Sequence, residues 1–296
     1  MACIRFSIAT PTRNSLEKLK RCVGSVRGQH EVALEHLVQD ADSSDGTPDW
    51  LLSQPGLRAV SEADAGMYDA INRAWARGSG EFFSWLNSDE QYLPGTLARV
   101  AAHFDEHPET DIVFGNYIVA DSQGRPVALR REIPFRRLYV ANSFLNMQSA
   151  TVFFRRRLFD RGLMTLDSRY RYAADKELIL RLAAAGARIR HLPQYLAVFG
   201  IDGSNLSTHP GVKQEVEEIR LAHGAFRSRA LRQLVLLGRR LERLISGGYG
   251  TATVRYRYAL DDQPRYAEFE AVRLGGRYTL DDLAGRADAL RILETP

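Results

Sequence analysis

The chain has 296 residues, of which 45% are hydrophobic and 26% are charged, and its formal net charge is +4. This balance excludes a mostly disordered or fibrous protein, and the length allows a buried core without disulfide or metal staples. The charge excess is too small to indicate a nucleic-acid partner. Cys3 and Cys22 lack metal-binding or CxxC spacing, so we expect free thiols in a reducing cytoplasm. No apolar run reaches the roughly 18 residues of a membrane span, and no signal pattern opens the chain.

Short apolar runs alternate with helical patterns through the first part of the chain. The periodicity predicts strands over residues 4–9, 34–40, 57–61, 82–86 and 112–119, separated by helices over 16–26, 48–52, 67–77 and 93–104. Such alternation favours an α/β fold with a mostly parallel sheet flanked by helices. Ligands bind in these folds beyond the carboxyl ends of the strands. We therefore expect the chemistry in the loops that follow the first, second and fourth strands.

The remainder of the chain is less regular. Its pattern predicts a strand over 150–154, helices over 134–141, 156–161 and 173–185, strands over 189–192 and 196–199, a helix from about 212 to 245, alternating strands around 253–258 and 266–274, a further strand over 277–280 and a last helix over 281–293. Three glycines, at 247, 248 and 250, separate the long helical pattern from the alternating one. We therefore divide the chain into a catalytic domain over 1–210, a basic amphipathic helical extension over 211–249, and a small hairpin and helix appendage over 250–296.

Polar residues follow three of the predicted strands. The first strand leads into Thr-Pro-Thr-Arg-Asn at 10–14, and the second into a loop at 40–47 with three carboxylates and three hydroxyls. In that loop Asp45 or Thr47 can cap the next helix, whereas Asp40 at the strand end can accept a hydrogen bond from the imide N–H of a pyrimidine base. Asn-Ser-Asp-Glu at 87–90 follows the most apolar strand, and its acidic oxygens suit a hard divalent cation that carries a diphosphate.

The order and spacing of these segments resemble the family 2 glycosyltransferases with a GT-A fold, of the type that builds bacterial polysaccharides and cell-surface glycans. The resemblance rests on D-x-x-S-x-D-G-T at 40–47, S-E-x-D-x-G-x-Y-D-A-x-N at 61–72 and N-S-D-E at 87–90. It continues through Q-S-A-T-V-F-F-R-R at 148–156 and A-A-D-K-E-L-I-L-R-L at 173–182, and it covers about residues 3–205. Each motif is weak singly, whereas five in this order are specific.

The resemblance implies a role for each matching residue. Those implied to bind the nucleotide are Thr10, Pro11, Asn14, Asp40, Asp64, Asn72, Asn87 and Ser88. Asp89 matches the metal-binding aspartate of the DxD motif, which implies Mn²⁺ or Mg²⁺ as the cofactor. Asp175 matches the catalytic base, with an ordinary charge at a helix N-terminus as its structural alternative. Two residues depart from the pattern, because Asn87 replaces the first DxD aspartate and Met147 stands where a histidine is common.

These roles together predict an inverting glycosyltransferase. It would move a sugar from a nucleotide diphosphate, with UDP favoured, to a hydroxyl of a glycan, lipid-linked or other acceptor. A metal would neutralise the leaving diphosphate, and a base beside a single anomeric centre favours in-line displacement. Two alternatives stay open. A nucleotidyltransferase usually has a glycine-rich phosphate loop with a lysine, which residues 10–14 lack. A sugar-nucleotide-binding protein without catalysis is suggested only by Asn87.

The helix predicted over 219–245 carries a local excess of positive charge. It contains seven arginines, at 220, 227, 229, 232, 239, 240 and 243, and one glutamate, Glu242. One hypothesis packs this helix on the catalytic domain and leaves a solvated basic face. The other hypothesis is peripheral docking on the anionic cytoplasmic face of the membrane, where a lipid-linked acceptor would be found. The appendage over 250–296 is a further candidate contact, for homo-oligomer formation.

Overall fold

A computed structural model describes residues 4–203, 205–206, 209–263, 265–274 and 291–294 of the chain. The strands are β1 (Phe6–Thr12), β2 (Leu34–Asp40), β3 (Leu57–Ser61), β4 (Phe82–Trp85), β5 (Glu90–Tyr92), β6 (Ile112–Asp121), β7 (Pro126–Arg130), β8 (Val152–Arg155), β9 (Ile189–Ile201), β10 (Gly250–Ala259), β11 (Arg265–Leu274) and β12 (Arg291–Glu294). The helices are α1 (Leu16–Arg27), α2 (Thr47–Leu52), α3 (Met67–Ala76), α4 (Thr96–Glu106), α5 (Arg137–Asn142), α6 (Arg156–Asp160), α7 (Ala174–Ala184), α8 (Val212–Ala222) and α9 (Arg229–Ile245).

These strands form one mixed sheet. Its main path runs β10-β11-β7-β6-β8-β4-β1-β2-β3, with β9 beside β6, β5 beside β9 and β12 beside β11. The centre is parallel, since β1 pairs in parallel with β2 and β4, and β2 with β3. β8 runs antiparallel to β4 and β6 and joins this centre to the rest of the sheet. The structure therefore has the mixed α/β sheet that the sequence predicts.

Aromatic packing fixes the central strands from both faces. On one face Trp75 of α3 meets Trp85 of β4 edge-on, with ring centroids 5.4 Å apart. On the other, Phe82 of β4 stacks on Phe104 of α4 at 4.4 Å. β1 and β4 are buried along their whole length. Because both faces are covered, the loops that follow these strands start from fixed positions.

Two strands that the sequence predicts separately are one strand. β9 runs without a break from Ile189 to Ile201 and pairs in parallel with β6. The predicted gap contains Pro193, whose nitrogen has no hydrogen to donate. The pairing skips Pro193 and Gln194, so the irregularity is a bulge within the strand and not its end. The sequence analysis missed β5 and β7, which are both short: β5 pairs with the distant β9, and β7 forms a hairpin with β6.

The single helix predicted over about 212–245 is wrong. α8 ends at Ala222, and Gly224 then takes a left-handed conformation, with φ of 80°. A glycine in this position ends helices because it has no Cβ to clash. α9 begins after Ser228, whose side chain accepts a hydrogen bond from the Leu231 amide. No helix in the described ranges is long and apolar enough to cross a membrane.

The predicted C-terminal hairpin is confirmed as β10 and β11. It is continuous with the main sheet, because β11 pairs with β7, and it packs against α1. The last predicted helix is wrong at its end, since Arg291–Glu294 forms β12 against β11. Residues 281–290 of that helix, and the strand predicted over 277–280, lie outside the described residues. The division into three domains and homo-oligomer formation through the appendage stay predictions.

Candidate active site

A cleft of about 1120 Å³ opens where β1, β2 and β4 end. The predicted site residues that line it are Pro11, Asp64, Asn87, Ser88, Asp89 and Asp175. They come from four separate segments of the sequence: the parallel strands of the sheet centre bring three of them to one edge, and α7 adds Asp175. Its volume is sufficient for a ligand of nucleotide-sugar size.

Asp40 is completely buried at the end of β2 and is not among the residues that line the cleft. Its carboxylate accepts hydrogen bonds from the Ser43 amide at 3.0 Å, from the Ser43 hydroxyl, and from the Ser61 hydroxyl at 2.6 Å. These bonds tie the end of β2 to its following loop and to the end of β3. Ala41, the next residue, lines the cleft. The predicted contact between Asp40 and the nucleotide base stays a prediction. In this structure the Asp40 carboxylate stabilises the loops behind the cleft surface.

Thr10, Asn14 and Asn72 are also not among the residues that line the cleft. The Thr10 hydroxyl is buried 2.8 Å from His36 Nε2. Asn14 has a positive φ of 47°, its amide donates to the Ser43 hydroxyl, and its side-chain oxygen accepts from the Ser44 amide. Asn72 exchanges two hydrogen bonds with the backbone of Leu166, at 2.8 and 2.9 Å. Thr10 links β1 to β2, Asn14 joins the loops that follow them, and Asn72 ties the segment around Leu166 to α3. Their predicted nucleotide contacts stay untested.

The Asn87–Glu90 turn is the polar centre of the cleft. Glu90 accepts the Asn87 amide at 2.9 Å, together with donors from Gln148 and Ser149. Burial and the neighbouring Asp89 charge raise the pKa of Glu90 to about 7. Burial also raises the pKa of Asp89, and the Lys18 ammonium opposes that rise. Glu90 therefore supports the turn. Of the two carboxylates in the turn, Asp89 is the one that lines the cleft.

Buried polar atoms without partners point to a missing ligand. The Thr12 hydroxyl, Trp85 Nε1 and Asn87 Oδ1 have no hydrogen-bond partner among the described residues, and all three residues line the cleft. Asn87 Oδ1 and the Asp89 carboxylate are hard oxygen donors, which fit a divalent cation. No cluster of three His, Cys, Asp or Glu side chains occurs in the part of the chain described. A cation would therefore need oxygens from a bound diphosphate, as is usual for Mg²⁺.

Asp175 lies in the first turn of α7 and lines the same cleft. Its Oδ1 accepts the Lys176 amide at 2.8 Å and faces the Tyr68 hydroxyl at 3.5 Å. Burial raises the pKa of Asp175, while these hydrogen bonds oppose the rise. A carboxylate with a raised pKa accepts a proton more readily, which suits a general base.

Glu215 of α8 fixes the segment that leads into Asp175. Its carboxylate accepts the amides of Arg171, Tyr172 and Ala173 at 2.7, 2.8 and 3.0 Å. The amides at the start of a helix have no partner within it. Ala173 is the N-cap of α7, whereas Arg171 and Tyr172 precede the helix, so Glu215 holds both the start of α7 and the segment that leads into it, and α8 positions the candidate base.

Sequence reasoning missed several polar residues of the cleft, including Arg13, Lys18, Arg130, Glu132 and Ser149. Lys18 forms an ion pair with Asp202 beside Asp89. In the sequence, the only feature that could have identified Lys18 is its position on the helix that follows β1. Glu132 is buried, and burial raises its pKa. Neither residue belongs to a local motif, since the cleft gathers them from distant segments.

Comparison with known proteins identifies the family of this site. Residues 7–164, more than half of the chain, match the sequence model of Glycosyl transferase family 2. The chain belongs to glycosyl transferase family 2. The match ends before Asp175, so it covers the Asn87–Glu90 turn but not the candidate base.

Relatives and solved structures agree with this family. The chain is 33% identical over 190 residues to the PGL/p-HBAD biosynthesis glycosyltransferases of Mycobacterium bovis and Mycobacterium tuberculosis, across 61% of this chain and 70% of theirs. Its fold resembles TarS of S. aureus, solved with UDP-GlcNAc, with a TM-score of 0.62, 20% identity and coverage of 82% and 73% of the two chains. It also resembles a mannosyltransferase from Pyrobaculum calidifontis, solved with GDP-Man and Mn²⁺, with a TM-score of 0.57, 19% identity and coverage of 81% and 70%.

The family 2 assignment confirms the expected GT-A fold class and the resemblance found in the sequence. It also favours a glycosyltransferase over a nucleotidyltransferase. The roles of individual cleft residues, the metal and the stereochemistry stay predictions.

Proposed function

We propose that this glycosyltransferase moves a sugar from a UDP-sugar to an acceptor hydroxyl with inversion at the anomeric carbon. The observation that supports it is the lining of one cleft by both the Asn87–Asp89 turn and Asp175. A diphosphate site and a base are the two parts that such a displacement needs. The acceptor hydroxyl belongs to a glycan or a lipid-linked glycan in this proposal.

The donor would lie along the ends of β1 and β4. Pro11 and Asp64 line this part of the cleft and would flank the base and ribose. Asp40 would recognise uracil by accepting its N3–H, an interaction that cytosine cannot offer, and this requires the loop after β2 to expose a carboxylate that is bonded to Ser43 and Ser61 in this structure. Two structural neighbours were solved with UDP-GlcNAc or GDP-Man, which supports a sugar nucleotide without fixing the base.

Asp89 and Asn87 would hold Mn²⁺ or Mg²⁺. Such a cation, when bound, neutralises the charge of the leaving diphosphate. Replacing the usual first aspartate by Asn87 removes one negative charge, so the protein itself holds the cation weakly. Lys18, which also lines the cleft, would add a positive charge beside the diphosphate.

Asp175 would take the proton from the acceptor hydroxyl as that oxygen attacks the anomeric carbon. Its half-buried position and raised pKa favour proton uptake. The bond from the anomeric carbon to the diphosphate oxygen breaks as the new glycosidic bond forms. Attack on the face opposite the leaving group inverts the configuration.

Thermal unfolding with UDP, GDP and CDP sugars, each with and without Mn²⁺, tests the donor and metal together. We expect the largest rise of the melting temperature with a UDP-sugar and Mn²⁺, because a ligand that binds only the folded state stabilises it. Asn87→Asp should lower the Mn²⁺ concentration needed by roughly tenfold, through one added negative charge. Asp89→Ala should remove the metal effect, whereas Asp49→Ala, on the exposed surface of α2, should not. Equal responses to UDP and CDP sugars would contradict the base assignment.

A sugar-nucleotide-binding protein without catalysis is the second candidate, because Asn87 weakens the metal site. It predicts the same thermal response without any release of UDP. A UDP-release assay with Mn²⁺ separates the two functions. Metal-dependent UDP release that Asp175→Asn reduces would support the transferase.

A further inference from the structure

α9 is oriented with its apolar face outward. Leu234 and Leu241 are exposed by 63% and 49%, and Leu231, Leu237, Leu244 and Ile245 are exposed as well. The opposite face carries Arg239 and Arg243, each only 5% exposed. α9 packs on the catalytic part, as one hypothesis expected, but Arg239 and Arg243 are on the packed side, so the expected solvated basic face is wrong for these two arginines. Helices of globular proteins normally bury the apolar side.

The buried arginines are only partly compensated. Arg243 Nη2 lies 4.0 Å from Glu132 Oε1, and the Arg239 guanidinium stacks 3.7 Å from the ring centroid of Phe144. Arg239 Nη2, Arg243 Nε and Arg243 Nη2 have no hydrogen-bond partner in the described part of the chain. Burying charge with incomplete partners is costly, and an exposed leucine row gains nothing in water. Burying these arginines while exposing the leucines of α9 is energetically favourable only if the leucines contact an apolar partner and not water.

Cationic side chains accompany the exposed leucines. Arg227, Arg229 and Arg240 are exposed, and none of them pairs with a carboxylate of the described ranges. Arg229 and Arg240 lie on α9 itself, and Arg227 comes just before it. Leucines at 234, 237, 241 and 244 repeat at helical spacing along about three turns. An apolar stripe bordered by arginine matches an anionic bilayer surface, with acyl chains beneath the stripe and phosphates beside the arginines.

We propose that α9 lies in the interface of an anionic membrane through this leucine stripe, defined as Leu231, Leu234, Leu237, Leu241, Leu244 and Ile245. α9 lies beside the cleft, because Phe144 lines the cleft and stacks on Arg239 of the buried face of α9, so one helix diameter, roughly 10 Å, separates the stripe from the cleft wall. Glu132, beside Arg243, lines the cleft too. Docking would therefore place the cleft next to the lipid surface. This proposal extends the proposed function and rests on it in one respect. The acceptor hydroxyl must belong to a lipid-linked molecule in that membrane.

Co-sedimentation with vesicles tests the docking without any need for catalysis. Vesicles of equal parts phosphatidylglycerol and phosphatidylcholine should bind the full chain, and vesicles of phosphatidylcholine alone should bind it much less. Leu234→Gln with Leu241→Gln should weaken binding by roughly tenfold or more, because two apolar anchors are lost. Arg229→Gln and Arg240→Gln should each weaken it about fivefold at low salt, and less at high salt. Leu52→Gln is the matched control, since Leu52 is 88% exposed on α2 and should leave binding unchanged.

Other outcomes would overturn the proposal. Equal binding to both kinds of vesicle, or no effect of the leucine pair, would exclude docking through this stripe. Sedimentation velocity without lipid should show the same association state for the unchanged protein and for Leu234→Gln. A dimer that Leu234→Gln dissociates would show that a second copy covers the stripe instead.

Activity separates this proposal from the proposed function. The leucine pair variant should release UDP from a UDP-sugar in water as fast as the unchanged protein, yet lose transfer to a lipid-linked acceptor in vesicles. Vesicle binding without any UDP release would leave docking intact and contradict the transferase. If the leucine pair variant releases UDP and still transfers sugar to the lipid-linked acceptor at the unchanged rate, the transferase stands and the docking proposal is contradicted.

Discussion

Asp175 is the residue on which the catalytic proposal depends most. Asp175→Asn keeps the size and the hydrogen-bond acceptor but cannot take a proton. We expect turnover to fall by roughly 10²–10⁴-fold with donor affinity unchanged. Steady-state kinetics with donor titration measures both, and Asp49→Asn, on the exposed surface of α2, is the control. Loss of donor affinity at unchanged turnover would make Asp175 a binding residue.

His36 makes a separate prediction about stability, in the wall behind Thr10. Burial lowers the pKa of His36 from 6.5 to about 3. The unfolded chain therefore binds a proton below pH 6.5 that the folded chain does not, so stability falls as the pH drops through this window. The slope is about 1.4 kcal/mol per pH unit for this group. Chemical denaturation below pH 6.5 should give slopes that differ by about this amount between the unchanged protein and His36→Gln, because all other titrating groups are shared, and equal slopes would contradict it.

At the residue scale, sequence patterns found the cleft residues that lie in local motifs. Pro11, Asp64 and the 87–89 turn line the cleft as their strand-end positions suggested. Asp40 and Asn72 are in the same motifs but hold loops in this structure. The sequence cannot separate the two groups, because both need polar side chains at strand ends. Whether such a side chain lines the cleft or is buried behind it depends on contacts with segments that are distant in the sequence.

At the element scale, α8 positions α7. Glu215→Gln keeps one oxygen acceptor for the amides of Arg171, Tyr172 and Ala173, which its carboxylate accepts through both oxygens. The segment before Asp175 should loosen. We expect kcat to fall by about ten- to a hundredfold with little change in donor KM, because small shifts of a catalytic group are costly. Glu218→Gln, exposed on the same helix, should be neutral. An equal fall in both variants, or a change only in KM, would contradict this role.

Element boundaries followed the sequence where local signals were strong. β2 and β3 begin and end at the predicted residues, between turn-forming segments. The break between α8 and α9 was missed, although Gly224 is a signal for it, because apolar residues continue at helical spacing on both sides. The outward orientation of α9 was also unpredictable. An amphipathic pattern shows that a helix has two faces, and only the tertiary contacts show which one meets the protein.

At the scale of the whole molecule, the C-terminal hairpin packs on the catalytic part against Gly24 of α1 and Gly28, which follows that helix. A Cβ on Gly24 would lie 2.1 Å from the carbonyl oxygen of Asp261, which is backbone and cannot swing away. Gly24→Ala should therefore lower the free energy of unfolding by about 1–3 kcal/mol, as overpacking does. Gly238→Ala in α9 is the control, because its nearest neighbour is 3.7 Å away. Chemical denaturation compares them, and an unaffected Gly24→Ala would mean that the hairpin does not pack here.

The stereochemistry of donor hydrolysis tests the central claim most directly. Without an acceptor, water takes the place of the acceptor hydroxyl, so an α-linked UDP-sugar should release the β-anomer first. Proton NMR of the early time course records this before the anomers equilibrate. We expect β-anomer formation that requires Mn²⁺ or Mg²⁺ and that slows strongly in Asp175→Asn. Release of the α-anomer first, or at full rate in excess chelator, would contradict it.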